Sequence, residues 1–161
     1  MLFRSLLTAF WSSEFEIREA VYLGLFHSVS AFCNAGFCLF SDSFIDYRGS
    51  LFLNLVICFL IVFGGLGFPV VYEIHQKFFE KRDGSRTRIS VHTKTALITT
   101  GILIPFGMLV FLFTDVKHLG AGDSAEKFLS ALFQSVTCRT AGFNTVDIGA
   151  LNSSALTFMM F

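Results

Sequence analysis

The residues of this sequence best suited to chemistry form two short turns, each closing an apolar run: Asn34, Ala35, Gly36 and Phe37, and Thr140, Ala141, Gly142 and Phe143. Neither turn places a nucleophile beside a base. Each does hold a glycine, which reaches backbone angles closed to other residues, so that successive carbonyls can point one way. A ring of carbonyls aimed in this manner replaces the water around a dehydrated monovalent cation. A helix ending at such a turn adds the partial negative charge of its carboxyl end. The chemistry these residues offer is ion coordination by the backbone.

The turns belong to a repeat. LFHSVSAFCNAGF runs from Leu25 to Phe37 and LFQSVTCRTAGF from Leu132 to Phe143, and the two align with one single-residue gap before the shared Ala-Gly-Phe. The copies stand 107 residues apart at Phe26 and Phe133 and 106 apart at Gly36 and Gly142. A short helix, an Ala-Gly-Phe turn and a spanning helix, repeated, make an architecture in themselves.

Irregular backbone survives at membrane depth only where protein or water surrounds it, so the flanking elements decide whether the turns work. Of the 161 residues, 53% are hydrophobic and only 15% charged, with 22 phenylalanines, and the mean hydropathy is +0.66. A soluble domain carries about 25% charged residues. The composition argues against a disordered chain, a secreted disulfide scaffold and a nucleic-acid binder, and predicts an integral membrane protein, which the helical segments that follow make all-α. Leu51 to Tyr72 and Thr95 to Thr114 carry no charge. At about 1.5 Å per residue they reach roughly 33 and 30 Å, enough to cross an apolar core of about 30 Å. Pro69 and Pro105 predict kinks within these spans, serving close packing or a hinge. Six of the 12 basic residues (Lys77, Lys81, Arg82, Arg86, Arg88 and Lys94) lie between the spans. The positive-inside rule puts that loop, 77–94, in the cytoplasm, with Ser50 and Asp115 outside.

Two further apolar segments, Ala20 to Cys33 and Ala125 to Cys138, extend about 21 Å each as helix, the length of a re-entrant segment. Ser13 with Glu16, and Asp123 with Glu126, stand at their entrances with capping-box spacing. Glu19 and Glu126 lie near the helix starts, where negative charge is favourable. Leu151 to Phe161 begins another apolar helix, so the sequence reads as a piece of a longer protein. Cys33, Cys38, Cys58 and Cys138 fit no zinc spacing and read as small membrane residues without a disulfide framework.

The segments Phe26–Phe37 and Phe133–Thr145 closely resemble the filter segments of the Trk/Ktr/HKT potassium transporters, and the run from Phe63 to Pro69 resembles that family's inner-helix ending. The resemblance covers nearly the whole chain. It implies helix–re-entrant pore loop–helix units, of which this chain holds two of four. Residues 1–80 would carry the second-repeat pore loop and its closing helix, 81–94 the cytoplasmic basic loop, and 95–161 the third-repeat opening helix, pore loop and the start of its closing helix. It further implies potassium transport across the plasma membrane, with or without sodium coupling. Asn34, Ala35, Gly36, Phe37, Thr140, Ala141, Gly142 and Phe143 would be the filter residues, and the transported potassium the only metal, with no cofactor. Membrane lipid, a second copy of the full-length protein and a cytosolic nucleotide-binding regulatory subunit are the implied partners. The sequence departs from the family at Cys138, where a hydroxyl residue precedes the arginine.

Plainer roles compete at several positions. His27 lacks a carboxylate or second histidine at ligand spacing and reads as a packing residue near the filter. His75, His92 and His118 read as solvated. An arginine at membrane depth is a functional candidate, but a cation beside a cation path repels it, so Arg139 reads as structural, bonding carbonyls behind the turn. Asp147 serves the outer mouth or caps a helix. Asn54, the amide of its span, bridges helices. Two other functions are weighed: a membrane-embedded metal-dependent enzyme, which needs clustered ionisable groups that the spans lack, and a structural membrane subunit, which leaves the paired glycine turns without a purpose.

Overall fold

The computed structural model describes residues 2–79, 89–114 and 124–160. Among these the chain forms α1 (Leu2–Trp11), α2 (Ile17–Phe32), α3 (Leu51–Leu66), α4 (Phe68–Phe79), α5 (Val91–Thr114), α6 (Ser124–Thr137) and α7 (Ser153–Met160), with one 3₁₀ turn at Ile148–Ala150 and no strand. The bulk of the basic loop, 80–88, lies outside the described residues, as do Asp115, His118 and Asp123.

Helix α5 is the long uninterrupted span. Its 24 residues extend about 36 Å, and Pro105 sits inside it without ending it. Ile98, Ile102, Leu103, Phe106, Leu109 and Phe113 are exposed along it, a surface suited to lipid. The segment Leu51–Tyr72 differs from the single kinked helix expected. Helix α3 stops at Leu66, Gly67 takes φ +80° and ψ 156°, and α4 departs at 99°. Glycine tolerates that backbone, and Pro69, with no N–H to give, falls in the first turn of α4, where none is required. The result is a break, not a kink.

The entrance to α2 differs from the capping-box expectation, whereas Asp123, the residue expected before α6, lies outside the described residues. Ser13 does not cap α2; its hydroxyl donates back to the Phe10 carbonyl at 2.8 Å, finishing the end of α1. Helix α2 starts four residues later at Ile17, with Glu16 before it and Glu19 in its first turn. Helix α6 starts at Ser124 with Glu126 in its first turn.

Helix α1 packs on α2 and α5 on α6, while α3 lies against both α2 and α6. Leu53, Ile57, Leu60 and Ile61 form the buried stripe of α3, at the three- and four-residue spacing of one helix face. They meet Leu7, Trp11, Leu23, Phe44, Phe133 and Phe143 in the main core. A second cluster joins Phe111 of α5 and Ala131 of α6 to Val146, Leu151 and Ala155 near α7. In lipid, apolar burial drives association weakly, so close packing and hydrogen bonds must hold the helices. The structure supplies both. A Cβ at Gly107 would strike the Ser135 hydroxyl, which donates to the Ile104 carbonyl at 2.7 Å, and Asn152 donates to the last carbonyl of α5, Thr114, at 2.9 Å. Asn54 does not bridge helices as expected. Its amide donates to the carbonyls of Tyr47, Arg48 and Ser50 at 2.7 to 3.0 Å, fixing the chain that leads into its own helix.

Candidate functional site

The two copies of the repeat fold alike where it matters. Helix α2 ends at Phe32 and helix α6 at Thr137, and each last turn is capped by an alanine N–H: Ala35 to the Ser30 carbonyl and Ala141 to the Thr137 carbonyl, both 2.9 Å. Gly36 and Gly142 then take φ +71° and +80°, left-handed angles that glycine adopts without strain. Ser30 and Thr137 occupy the same position of the repeat. Each hydroxyl donates at 2.8 Å to the carbonyl of the phenylalanine beyond its glycine, Phe37 and Phe143 respectively. One side-chain bond thus closes each turn.

With the turns closed in this way, the carbonyls of Asn34, Ala35 and Gly36, and those of Thr140, Ala141 and Gly142, accept no hydrogen bond among the described residues. Backbone carbonyls are rarely left so unless water or a cation serves them. The two turns meet at their glycines. A Cβ on Gly36 would collide with the Ala141 carbonyl oxygen and come within 3.1 Å of the Gly142 Cα, while one on Gly142 would lie 3.7 Å from the Gly36 Cα. Two sets of unpaired carbonyls, 106 residues apart in sequence, are therefore brought to one place. Chemically, such a set is suited to an ion that wants neutral oxygen ligands and whose hydration shell must be replaced in part.

The first turn is anchored to α3. The neighbours of the Asn34 amide assign its orientation: with the nitrogen facing the carbonyls of Ile61 and Ala31 it donates to them at 3.1 and 3.2 Å, and the oxygen accepts from the Gly65 N–H at 3.2 Å. Asn34 itself holds φ +53°, an angle asparagine tolerates better than most residues. A Cβ on Gly64 would strike the Phe32 carbonyl, so the glycines of α3 let it lie directly against the end of α2. The phenylalanines differ between copies. Phe143 is fully buried, its ring 5.2 Å from that of Phe44, whereas Phe37 is 69% exposed and borders a groove of about 340 Å³ with Tyr22, Leu25 and Val29.

His27 is buried and held at both nitrogens: Nδ1 donates to the Leu23 carbonyl at 2.9 Å, and Nε2 accepts from the Leu39 N–H at 3.2 Å. That pattern selects the neutral Nδ1–H tautomer. The ring stacks on Phe40 at 5.3 Å and lies 5.0 Å from Trp11. Gln134, its counterpart, is equally buried but finds no partner for its amide among the described residues.

Arg139 departs from its expected role. Among the described residues its side chain bonds no carbonyl behind the turn, which the Thr137 hydroxyl already closes. The guanidinium-bearing chain instead borders two cavities of about 300 and 260 Å³, one shared with Asn34, Gly65 and Thr140, the other with His92, Thr95 and Thr99. Cys138, which has no hydroxyl to offer, packs against the cluster around Phe111. Asp147 caps the 3₁₀ turn, accepting from the Gly149 N–H at 2.9 Å. Among the described residues no group of three or more His, Cys, Asp or Glu could hold a metal.

Ser30, Thr137, Ser43 and Asn144 were not singled out by sequence. The first two were accessible to it, as hydroxyls at the same repeat position. The second two were not: Asn144 donates its N–H to the Ser43 hydroxyl at 3.0 Å and accepts from the Phe44 N–H at 2.8 Å, a pairing across 101 residues that no local pattern announces.

A family model described as TrkH, cation transport protein, matches residues 6–161. The chain is 35% identical to the Ktr system potassium uptake protein B of Vibrio alginolyticus over 93% of its length and 33% of that protein's. It is 35% identical to the protein of the same name from Bacillus subtilis, over 93% and 32%, and to the potassium/sodium uptake protein NtpJ of Enterococcus hirae, over 92% and 32%. The chain spans about a third of the length of these relatives.

Proposed function

The chain belongs to the TrkH cation transport protein family, a family of membrane transporters and not of enzymes, and from that premise we propose that its two glycine turns supply part of a potassium-selective filter. The observation that carries this reading is the meeting of Gly36 and Gly142, each at positive φ, with its own carbonyl and those of the two residues before it unpaired among the described residues. The eight residues Asn34 to Phe37 and Thr140 to Phe143 are assigned to the filter. Within them the carbonyls of Phe37 and Phe143 are bonded by hydroxyls, so the three residues before each phenylalanine are the ones proposed to face the ion.

In this reading the chain contributes two of four helix–pore loop–helix units. Residues 1–80 carry one loop and its closing helix, 81–94 the cytoplasmic connection, and 95–161 the next opening helix, loop and the start of its closing helix. Helices α2 and α6 are the re-entrant pore helices, aimed with their carboxyl ends toward the ion. The protein is placed in the plasma membrane with 77–94 inside, acting as a homodimer together with a cytosolic nucleotide-binding subunit. The names of the relatives support potassium as the transported ion, and that of the Enterococcus hirae protein supports a sodium-linked variant.

The test is complementation. A bacterial host lacking its own potassium uptake systems and expressing the full-length transporter that contains these residues is expected to grow at limiting potassium and to take up rubidium. Absence of both, with the protein present in the membrane, contradicts the assignment.

A further inference from the structure

The strap that joins the first turn to α3, residues 38–50, is tied down along its length. Tyr47 donates its hydroxyl to Glu14 at 2.7 Å. Arg48 pairs with Glu126, in the first turn of α6, at 2.7 Å. Asn54 holds the carbonyls of Tyr47, Arg48 and Ser50. Its tip does something else. Ser43, at φ +56°, accepts from the Asn144 N–H, and Phe44 donates to the Asn144 carbonyl. Asn144 immediately follows Phe143, the last residue of the second turn. Phe44, fully buried, sets its ring against Phe143 at 5.2 Å and Phe133 at 6.4 Å.

We propose that Ser43 and Phe44 form a clamp, carried by the strap of one pore loop, that fixes the height and spacing of the other loop's filter turn, which makes Ser43 a positioning residue for ion selection. The inference rests on the filter reading above. A serine is an unfavourable choice for a left-handed angle, where glycine or asparagine sits more easily. What serine supplies there is the hydroxyl acceptor for Asn144. Without it the Asn144 N–H loses its partner, the two-bond link becomes a single bond, and the carbonyls of Thr140 to Gly142 are free to shift relative to those of Asn34 to Gly36. A filter discriminates by the fit of its oxygens to the ion, so such a shift weakens the preference between potassium and sodium before it stops flux.

Two variants separate the hydroxyl from the backbone angle. Ser43→Gly removes the hydroxyl and relieves the angle, whereas Ser43→Ala removes the hydroxyl and keeps the strain. Both are introduced into the full-length transporter, with Gly142→Ser alongside, and rubidium and sodium fluxes are measured together with the thermal midpoint in detergent. The clamp predicts a rubidium-to-sodium ratio lowered about threefold to tenfold in both Ser43 variants, the range set by one lost hydrogen bond, with the midpoint lower in Ser43→Ala than in Ser43→Gly. A wild-type ratio in Ser43→Gly, with Gly142→Ser impaired, overturns the clamp alone. Wild-type ratios in both overturn the filter reading and the clamp with it.

Discussion

The side chains that support the turns divide the work between closing each turn and filling the space behind it. Thr137 closes. Its hydroxyl bond to the Phe143 carbonyl is fully buried, so Thr137→Val, nearly equal in volume, removes the donor without opening a cavity. It is expected to lower the rubidium-to-sodium flux ratio severalfold, while Thr137→Ser, which keeps the hydroxyl, leaves the ratio within about twofold of wild type. His27 fills. His27→Gln keeps one donor and one acceptor near Leu23 and Leu39 and is expected to leave flux and stability close to wild type. His27→Leu strands the Leu39 N–H, at about 1–3 kcal/mol for a buried donor without a partner, and is expected to lower the thermal midpoint in detergent with the flux ratio unchanged. A flux ratio altered in His27→Gln as much as in the glycine variants would instead place the imidazole in the ion path. The sequence alone already separated these roles in part: an imidazole with no second ligand nearby points to packing. It could not show that Arg139 would leave the carbonyls of the turn alone, because which donor reaches a carbonyl depends on the turn geometry and not on charge.

At the scale of elements, the helices hold the turns by lying unusually close to one another. Gly64 is where α3 meets the end of α2, and a methyl group there runs into the Phe32 carbonyl, a backbone atom with no rotamer to yield. Gly64→Ala is expected to destabilise the protein by about 1–3 kcal/mol, read as a lowered midpoint, and to reduce flux because the displaced segment carries Asn34 and Gly36. Wild-type midpoint and flux would show that α2 and α3 can part without harm. The repeated sequence, the short helices α2 and α6 and the long span α5 were all legible, since composition, hydropathy and self-similarity are properties of contiguous sequence. The break at Gly67 was not, because a glycine-rich run before a proline serves a kinked helix and a broken one equally. What decides is the single φ of Gly67, which a local pattern leaves open. The entrance to α2 was misplaced for a related reason. Ser13 and Glu16 have the spacing of a capping box, yet Ser13 is spent on the end of α1, a competition visible only once both helices exist.

For the whole molecule, the account requires the strap and the basic loop to lie on opposite sides of the membrane. Gly49 is exposed, with open space where a side chain would grow, so Gly49→Cys in a cysteine-free background is expected to react with an impermeant thiol reagent in intact cells, and Ser85→Cys only after the cells are opened. The reverse pattern would invert the molecule. The central claim is that the paired glycine turns select the ion, and the two glycines are not equivalent in their tolerance. A side chain on Gly36 meets the Ala141 carbonyl, whereas one on Gly142 has room and suffers only the left-handed backbone angle. The most direct measurement is the rubidium-to-sodium flux ratio of Gly36→Ser and Gly142→Ser in the full-length transporter, at matched surface expression in a host without its own potassium uptake. The account predicts a ratio lowered about fivefold to a hundredfold in Gly142→Ser, the range of a misplaced buried carbonyl, and a still greater loss or no flux in Gly36→Ser; wild-type ratios in both variants would contradict it.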